Sequence, residues 1–157
     1  MHIQLIQVPY DSAQRDVRMG HGPEYFVQQG AAETLRAHGW TVDVESIEAQ
    51  RPFHAEIYTA FELDRQLAQR VRAAKESGAF PLVLSGNCNS SYAEPNGLFV
   101  DEMEQAISII AQQFEIAAAA FTAYDPSCDP EGNILRAGLR LMEHVVGEVE
   151  ANVQNAS

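Results

Sequence analysis

The sequence predicts an α/β fold: a three-layer sandwich whose four-stranded parallel sheet, in the order 2-1-3-4, carries helices on both faces. β-rich runs alternate four times with stretches of helical periodicity, the pattern of a parallel sheet joined by right-handed crossovers. The run Pro81 to Leu84 is continuously apolar, as a strand buried on both faces must be. It breaks into a small polar loop, Ser85, Gly86, Asn87, Cys88, Asn89. In open α/β sheets ligands bind beyond the carboxyl ends of the central strands, at the switch in strand order. The order 2-1-3-4 puts that switch between strands one and three, where the loops Pro9 to Gly22 and Ser85 to Gly97 would meet.

Taken in order, Ile3 to Val8 is rich in strand formers and stops at Pro9, which cannot donate to a ladder. The loop from Pro9 to Gly22 is long for an α/β connection, a length that favours a functional or flexible segment. Pro23 suits a first helical turn, and a helix is expected from there to Gly39, with Phe26, Ala31 and Leu35 inward. Thr41 to Ile47 alternates at period two, which suits an edge strand. From about Glu56 to Ser77, Ile57, Phe61, Leu67, Val71 and Ala74 are expected to form a helical stripe closed by Gly78.

Beyond the polar loop, Val100, Met103, Ile107, Ile110 and Phe114 recur at spacings of three and four and predict one apolar helix face. Ile116 to Tyr124 has the alanine content of a helix, but its length and the following Asp125-Pro126 predict strand four. A final helix over about Asn133 to Glu150 presents Leu135, Gly138, Leu139, Met142, Val145, Val146 and Val149 inward. The tail Ala151 to Ser157 is expected to fray.

Composition limits the partners. With 157 residues, 46% hydrophobic and 20% charged, the chain can bury one core, so residues 1–157 are expected to form a single domain. Ten Lys and Arg against 22 Asp and Glu give a net charge of -12, which repels phosphate backbones and anionic lipid, so neither nucleic acid nor membrane is expected as a partner. The apolar run Ile116 to Phe121 is too short to span a bilayer, and MHIQLIQVPYD does not read as a signal peptide, which makes cytoplasmic the expected location. Cys88 and Cys128 are too few for a disulfide scaffold, and strand spacing places them on one rim too far apart to bridge, so two reduced thiols are expected.

Several stretches carry a resemblance. VPYDSAQRDVRMGHGPEYF is similar to the amino-terminal signature of the arginase and agmatinase (ureohydrolase) superfamily, and PLVLSGNCN to its third strand and Gly-Gly-Asp-His loop. NSSYAEPNGLFVDEMEQAI and FTAYDPSCDP resemble its last strand-to-helix segment and final strand. Residues 1–89 thus resemble the amino-terminal part and 90–150 the carboxyl-terminal part of a truncated arginase-like fold. The family's order 2-1-3-8-7-4-5-6, on this resemblance, would lose one side and keep 2-1-3-8.

The resemblance implies manganese-dependent hydrolysis of guanidino C–N bonds at a two-metal centre. The Asp-x-His-x-Asp and Asp-x-Asp motifs that hold the family's metals do not occur in this sequence. Cys88 stands where the family has a histidine ligand, Asn87 where an Asp is usual, and Ala123 where many arginases place a glutamate against the guanidinium. The chemistry itself requires a metal to lower the pKa of bound water from about 15.7 towards about 7. The five histidines, His2, His21, His38, His54 and His144, show no pairing that would build such a site. No metal ligand and no cofactor are therefore expected.

Candidate catalytic residues reduce to Cys88, as an activated thiol, and His21, as a base or ligand; a small inert residue and a solvated loop residue are the ordinary alternatives. The polar side chains expected around the crevice are Asp11, Asn87, Asn89, Glu94 and Asp125. Asp125, Asp129 and Glu131 lack EF-hand spacing and suit capping of the last helix better. Three readings stay open. They are a catalytically silent scaffold or interaction protein left by a natural or engineered internal deletion, a residual metallohydrolase assembled between subunits, and a cysteine-dependent enzyme. Because such a deletion would expose strand four, a homodimer through Ile116 to Phe121 is expected.

Overall fold

The computed structural model describes residues 1–53, 55–86 and 99–155. In chain order its elements are β1 (His2–Val8), a small hairpin of β2 (Tyr10–Asp11) and β3 (Gln14–Arg15), a 3-10 turn (Arg18–His21), α1 (Gly22–Gln28), α2 (Ala31–Ala37), β4 (Thr41–Ser46), α3 (Glu56–Glu76), β5 (Phe80–Ser85), α4 (Val100–Gln113), β6 (Ala119–Thr122), a second 3-10 turn (Pro126–Cys128) and α5 (Asn133–Asn155). The main sheet has the order β4-β1-β5-β6 with every pair parallel, which is the expected 2-1-3-4.

Alternation along β1 builds the two cores. Ile3 and Leu5 point into a layer formed with Phe26, Leu35, Met142 and Val146, whereas Ile6 and Val8 meet Leu63 and Val83 on the other face. Pro81 sits inside a strand paired on both sides without breaking a ladder. The Gly86 amide donates to Val8 O and the Ala123 amide to Ser85 O, so Pro81, odd-numbered like Ser85, would have donated towards β6. The β5–β6 register begins only at Leu82 opposite Ala119, one residue further on.

Two helices depart from the sequence expectation for reasons of phase, and a third runs on past its expected end. Phe26 and Leu35 are nine residues apart, roughly 180° around a continuous helix at ~100° per residue, so one helix cannot turn both inward. The chain breaks at Gly30 (φ 97) into α1 and α2, and both residues reach the same core. In α3 the buried face is Thr59, Leu63 and Ala74, with Leu67 and Val71 beside it, while Ile57 and Phe61 are 61% and 58% exposed. The six-residue step from Phe61 to Leu67 does not keep to one face. The segment from Ala151 to Asn155, expected to fray, continues α5, and the Asn152 side-chain amide donates to Ala111 O of α4 at 2.8 Å.

Strand four, expected over Ile116 to Tyr124, is shorter, Ala119–Thr122, and the expected stripe of α4 is half-covered at Val100 and Ile107 while Met103, Ile110 and Phe114 stay exposed. α4 lies beside α5: Arg140 pairs with Asp101 and Glu104, and Ser108 bonds His144 at 2.9 Å. This placement sets the hand of its connection. From β1 through α1 and α2 the chain steps to β4 on the α5 side of the sheet, and from β4 through α3 it steps the opposite way on the other side. Opposite steps on opposite faces share one hand. The step from β5 through α4 to β6 runs the same way as the α3 step but on the α5 face, so it has the other hand. With the first two following the right-handed rule that about 98% of such units obey, this connection is left-handed.

Candidate functional site

The carboxyl rim of the sheet is where the order of strands places a site, and the loop from Pro9 to Gly22 decides its shape. Ser12 (φ 50) and Ala13 (φ 60) form the two-residue turn between β2 and β3, both left-handed as a tight type I′ hairpin requires. Arg15 ties the hairpin down: its guanidinium lies 2.6 Å from Glu24 Oε1 and 3.1 Å from Asp16 Oδ2, and also pairs with Glu48. The Ala49 amide donates to the Tyr10 hydroxyl at 2.8 Å, and the Asp16 amide to Pro9 O at 3.0 Å.

The 3-10 turn Arg18–His21 then lies across the strand ends. A Cβ added at Gly86 would stand 2.6 Å from both Gly20 Cα and Met19 O, and one at Gly22 would collide with the Tyr124 carbonyl oxygen. Among the described residues, backbone from the first loop thus packs directly against the ends of β5 and β6. Behind it Phe26 packs edge-on against Tyr124, ring centroids 4.8 Å apart.

Three candidate residues come to this rim, each already engaged or exposed. Asp11 is buried, with Arg18 Nε 2.9 Å from its Oδ2 as an ion pair and Ser12 Oγ 3.4 Å from its Oδ1. Asp125 caps the second 3-10 turn, accepting from the Ser127 amide at 2.9 Å and from the Ser127 hydroxyl at 2.7 Å. His21 is exposed and lines a groove of about 570 Å³ with Arg18, Glu24, Tyr25, Asp125 and Ser127. Asn87, Cys88, Asn89 and Glu94 lie outside the described residues, as does His54; Cys128 is a free, exposed thiol.

Asp129 caps the last helix as its position suggested. It accepts from the Leu135 amide at 3.0 Å and from the Tyr124 hydroxyl at 3.2 Å. Burial alone would raise its pKa, but the amides of Leu135, Ile134 and Asn133 with the Tyr124 hydroxyl outweigh it and hold the carboxyl below its ordinary value. Tyr124, pushed well above the usual phenol range by burial and then by Asp129, stays protonated and donates. Arg18 is the rim residue that sequence reasoning missed; a lone cation in a polar loop carries no signal of its partner.

A two-metal centre needs several carboxylates and imidazoles converging on one point. Among the described residues no three His, Cys, Asp or Glu side chains come together to hold an ion, Asp11 faces Arg18, and Asp125 is taken by Ser127. The described residues do not fit such a centre. Among them, too, no helix is long and apolar enough to cross a membrane.

No family model matches the sequence, and no curated protein does. Among solved structures, a crystal structure of arginase from Bacillus subtilis superposes with a TM-score of 0.77 and 12% identity, over 94% of this chain and 99% of that one. A second arginase structure, from Bacillus subtilis subsp. subtilis strain 168, aligns at 28% identity and TM-score 0.48 over 55% of this chain and 31% of that one. Arginase from Bacillus cereus aligns at 22% and 0.48, over 72% and 36%, so the chain spans about a third of the length of these last two. At 12% identity the first superposition speaks for architecture alone, and together with the strand order it establishes that this chain has an arginase-like fold.

Proposed function

We propose that this chain is a catalytically silent protein on an arginase-like fold that works by association, as a homodimer, and that it descends from a longer sheet by an internal deletion. The observation that carries the reading is the filled rim. The position where an α/β sheet would hold substrate is taken by Met19, Gly20 and Gly22 packed on Gly86 and Tyr124, and the rim carboxylates Asp11 and Asp125 are spent on Arg18 and Ser127. The left-handed step through α4 supports the deletion. A strand on the far side of β6, leading through the same helix into β6, would make the connection right-handed.

Metal analysis of the purified full chain, run beside a urea-release assay on guanidino compounds, tests the silence. The reading expects no stoichiometric manganese and no urea. Two manganese ions per chain with turnover would overturn it.

A further inference from the structure

The flank of α4 that hangs over the free edge of β6 has lost what it was shaped to cover. At ~100° per residue, Glu104, Ser108 and Ala111 turn towards α5, and Ile107 towards the core. Met103, Ile110 and Phe114 fall together on the side of Ile107 away from α5, facing the sheet layer, and they are 38%, 50% and 70% exposed. The sheet ends beneath them, because β6 pairs only with β5 among the described strands.

Among the described residues the edge itself is unpaired. Since the Ala123 amide donates to Ser85 O of β5, the amides of Ala120 and Thr122 point the other way, off the sheet. No charged residue interrupts the run between Glu115 and Asp125. α5, which could have folded over this edge, packs instead on the α1 and α2 face. The overhanging apolar flank and the left-handed connection, which both follow from where α4 lies, mark a vacant strand position beyond β6.

Resting on the assembly reading above, we infer that this position is filled by β6 of a second copy, paired antiparallel about a two-fold axis perpendicular to the sheet, so that the α4 flank of each copy covers the β6 strand of the other. An occupant must bring a strand with outward donors and acceptors, and the edge of this chain is such a strand. Antiparallel pairing is the arrangement in which identical edges exchange bonds symmetrically, and it closes at two chains. The axis keeps both α4 helices on one face of a continuous eight-stranded sheet, where Met103, Ile110 and Phe114 of the two copies meet. A foreign strand would satisfy the edge but bring no matching flank. The net charge of -12 opposes approach at long range, an opposition that salt screens, and the run that pairs is itself uncharged, with Glu115 and Asp125 only at its two ends.

Sedimentation of the full chain over a range of concentrations, with Ile110→Glu and Ala120→Pro, tests the interface. The wild type is expected at twice 17.3 kDa. Each variant is expected as a monomer with unchanged circular dichroism, because Ile110 is exposed and the Ala120 amide faces away from β5. Should Ala120→Pro misfold, Ile110→Glu alone decides. A dimer that both folded variants leave intact would overturn this interface while sparing the assembly reading; a wild type that stays monomeric at high concentration overturns both. Metal-dependent turnover would remove the catalytic silence and leave the interface standing.

Discussion

The two ends of the crossover topology behave in opposite ways. At the carboxyl rim, where an α/β sheet ordinarily leaves a crevice, the first loop folds in and three of the described carboxylates are engaged: Asp11 as an ion pair with Arg18, Asp125 with Ser127, and Asp129 with Tyr124 and the start of α5. At the β6 edge, where a parallel sheet is ordinarily covered and continued, amides point outward and an apolar helix flank faces water. Under the proposed function the rim takes no substrate and the edge takes a second copy. Substitutions at the rim should therefore change the stability of the chain, and substitutions at the edge its association.

The largest effect is expected at Gly86. A valine there must displace the backbone of Met19 and Gly20, atoms that cannot swing aside as a side chain would, so Gly86→Val should lower unfolding free energy by about 3 kcal/mol in denaturant melts. Ile110→Glu, by contrast, should move the stability of the isolated chain by less than about 0.5 kcal/mol. If the two variants cost the same, rim and edge do not differ as described.

Asp129 comes next. Replacing it with alanine removes the cap of α5 and leaves the Tyr124 hydroxyl buried without its acceptor, together about 2 kcal/mol. Its folded pKa lies below the unfolded value of about 3.9, so its stabilisation is full above that value and is lost as pH falls through the folded one. The wild-type melting temperature should drop below about pH 4, and Asp129→Asn should flatten that drop.

A small effect of opposite sign is expected at Ala123, a non-glycine residue held at φ 65 just past β6, where its amide bonds Ser85. Glycine relieves the left-handed strain but loosens the unfolded chain, for a net gain of about 0.5 kcal/mol in Ala123→Gly. A loss at this position would mean that the Ala123 methyl packs more than it strains.

Sequence patterns carried the strands and helices because they report on burial: the solid run around Leu82 and the α5 stripe through Met142, Val145 and Val149 match the observed strand and helix. Periodicity did not fix the strand order, which rested on the simplest arrangement and on the family resemblance, and along Thr41 to Ser46 only Val42 is buried, with Val44 exposed at the sheet edge. Phase was less legible. Phe26 and Leu35 both look inward in sequence, yet only the break at Gly30 makes that possible. Periodicity shows the stripe of α4 as apolar but cannot say that the sheet stops under half of it. At the rim, Asp129 announced itself as a cap, whereas the filling of the crevice by Gly20 and Gly22 depends on long-range approach to Gly86 and Tyr124, which no local pattern encodes.

Amide hydrogen exchange of the full chain at low and high concentration tests the contrast most directly, because one experiment reads both regions. The amides of Asp16, Gly20 and Gly86, bonded to Pro9, Val17 and Val8, should be protected equally at both concentrations. Those of Ala120 and Thr122 should exchange quickly when dilute and slow when concentrated, as two β6 edges pair. Edge amides that exchange alike at both concentrations, or rim amides that exchange as fast as the dilute edge, would contradict the account.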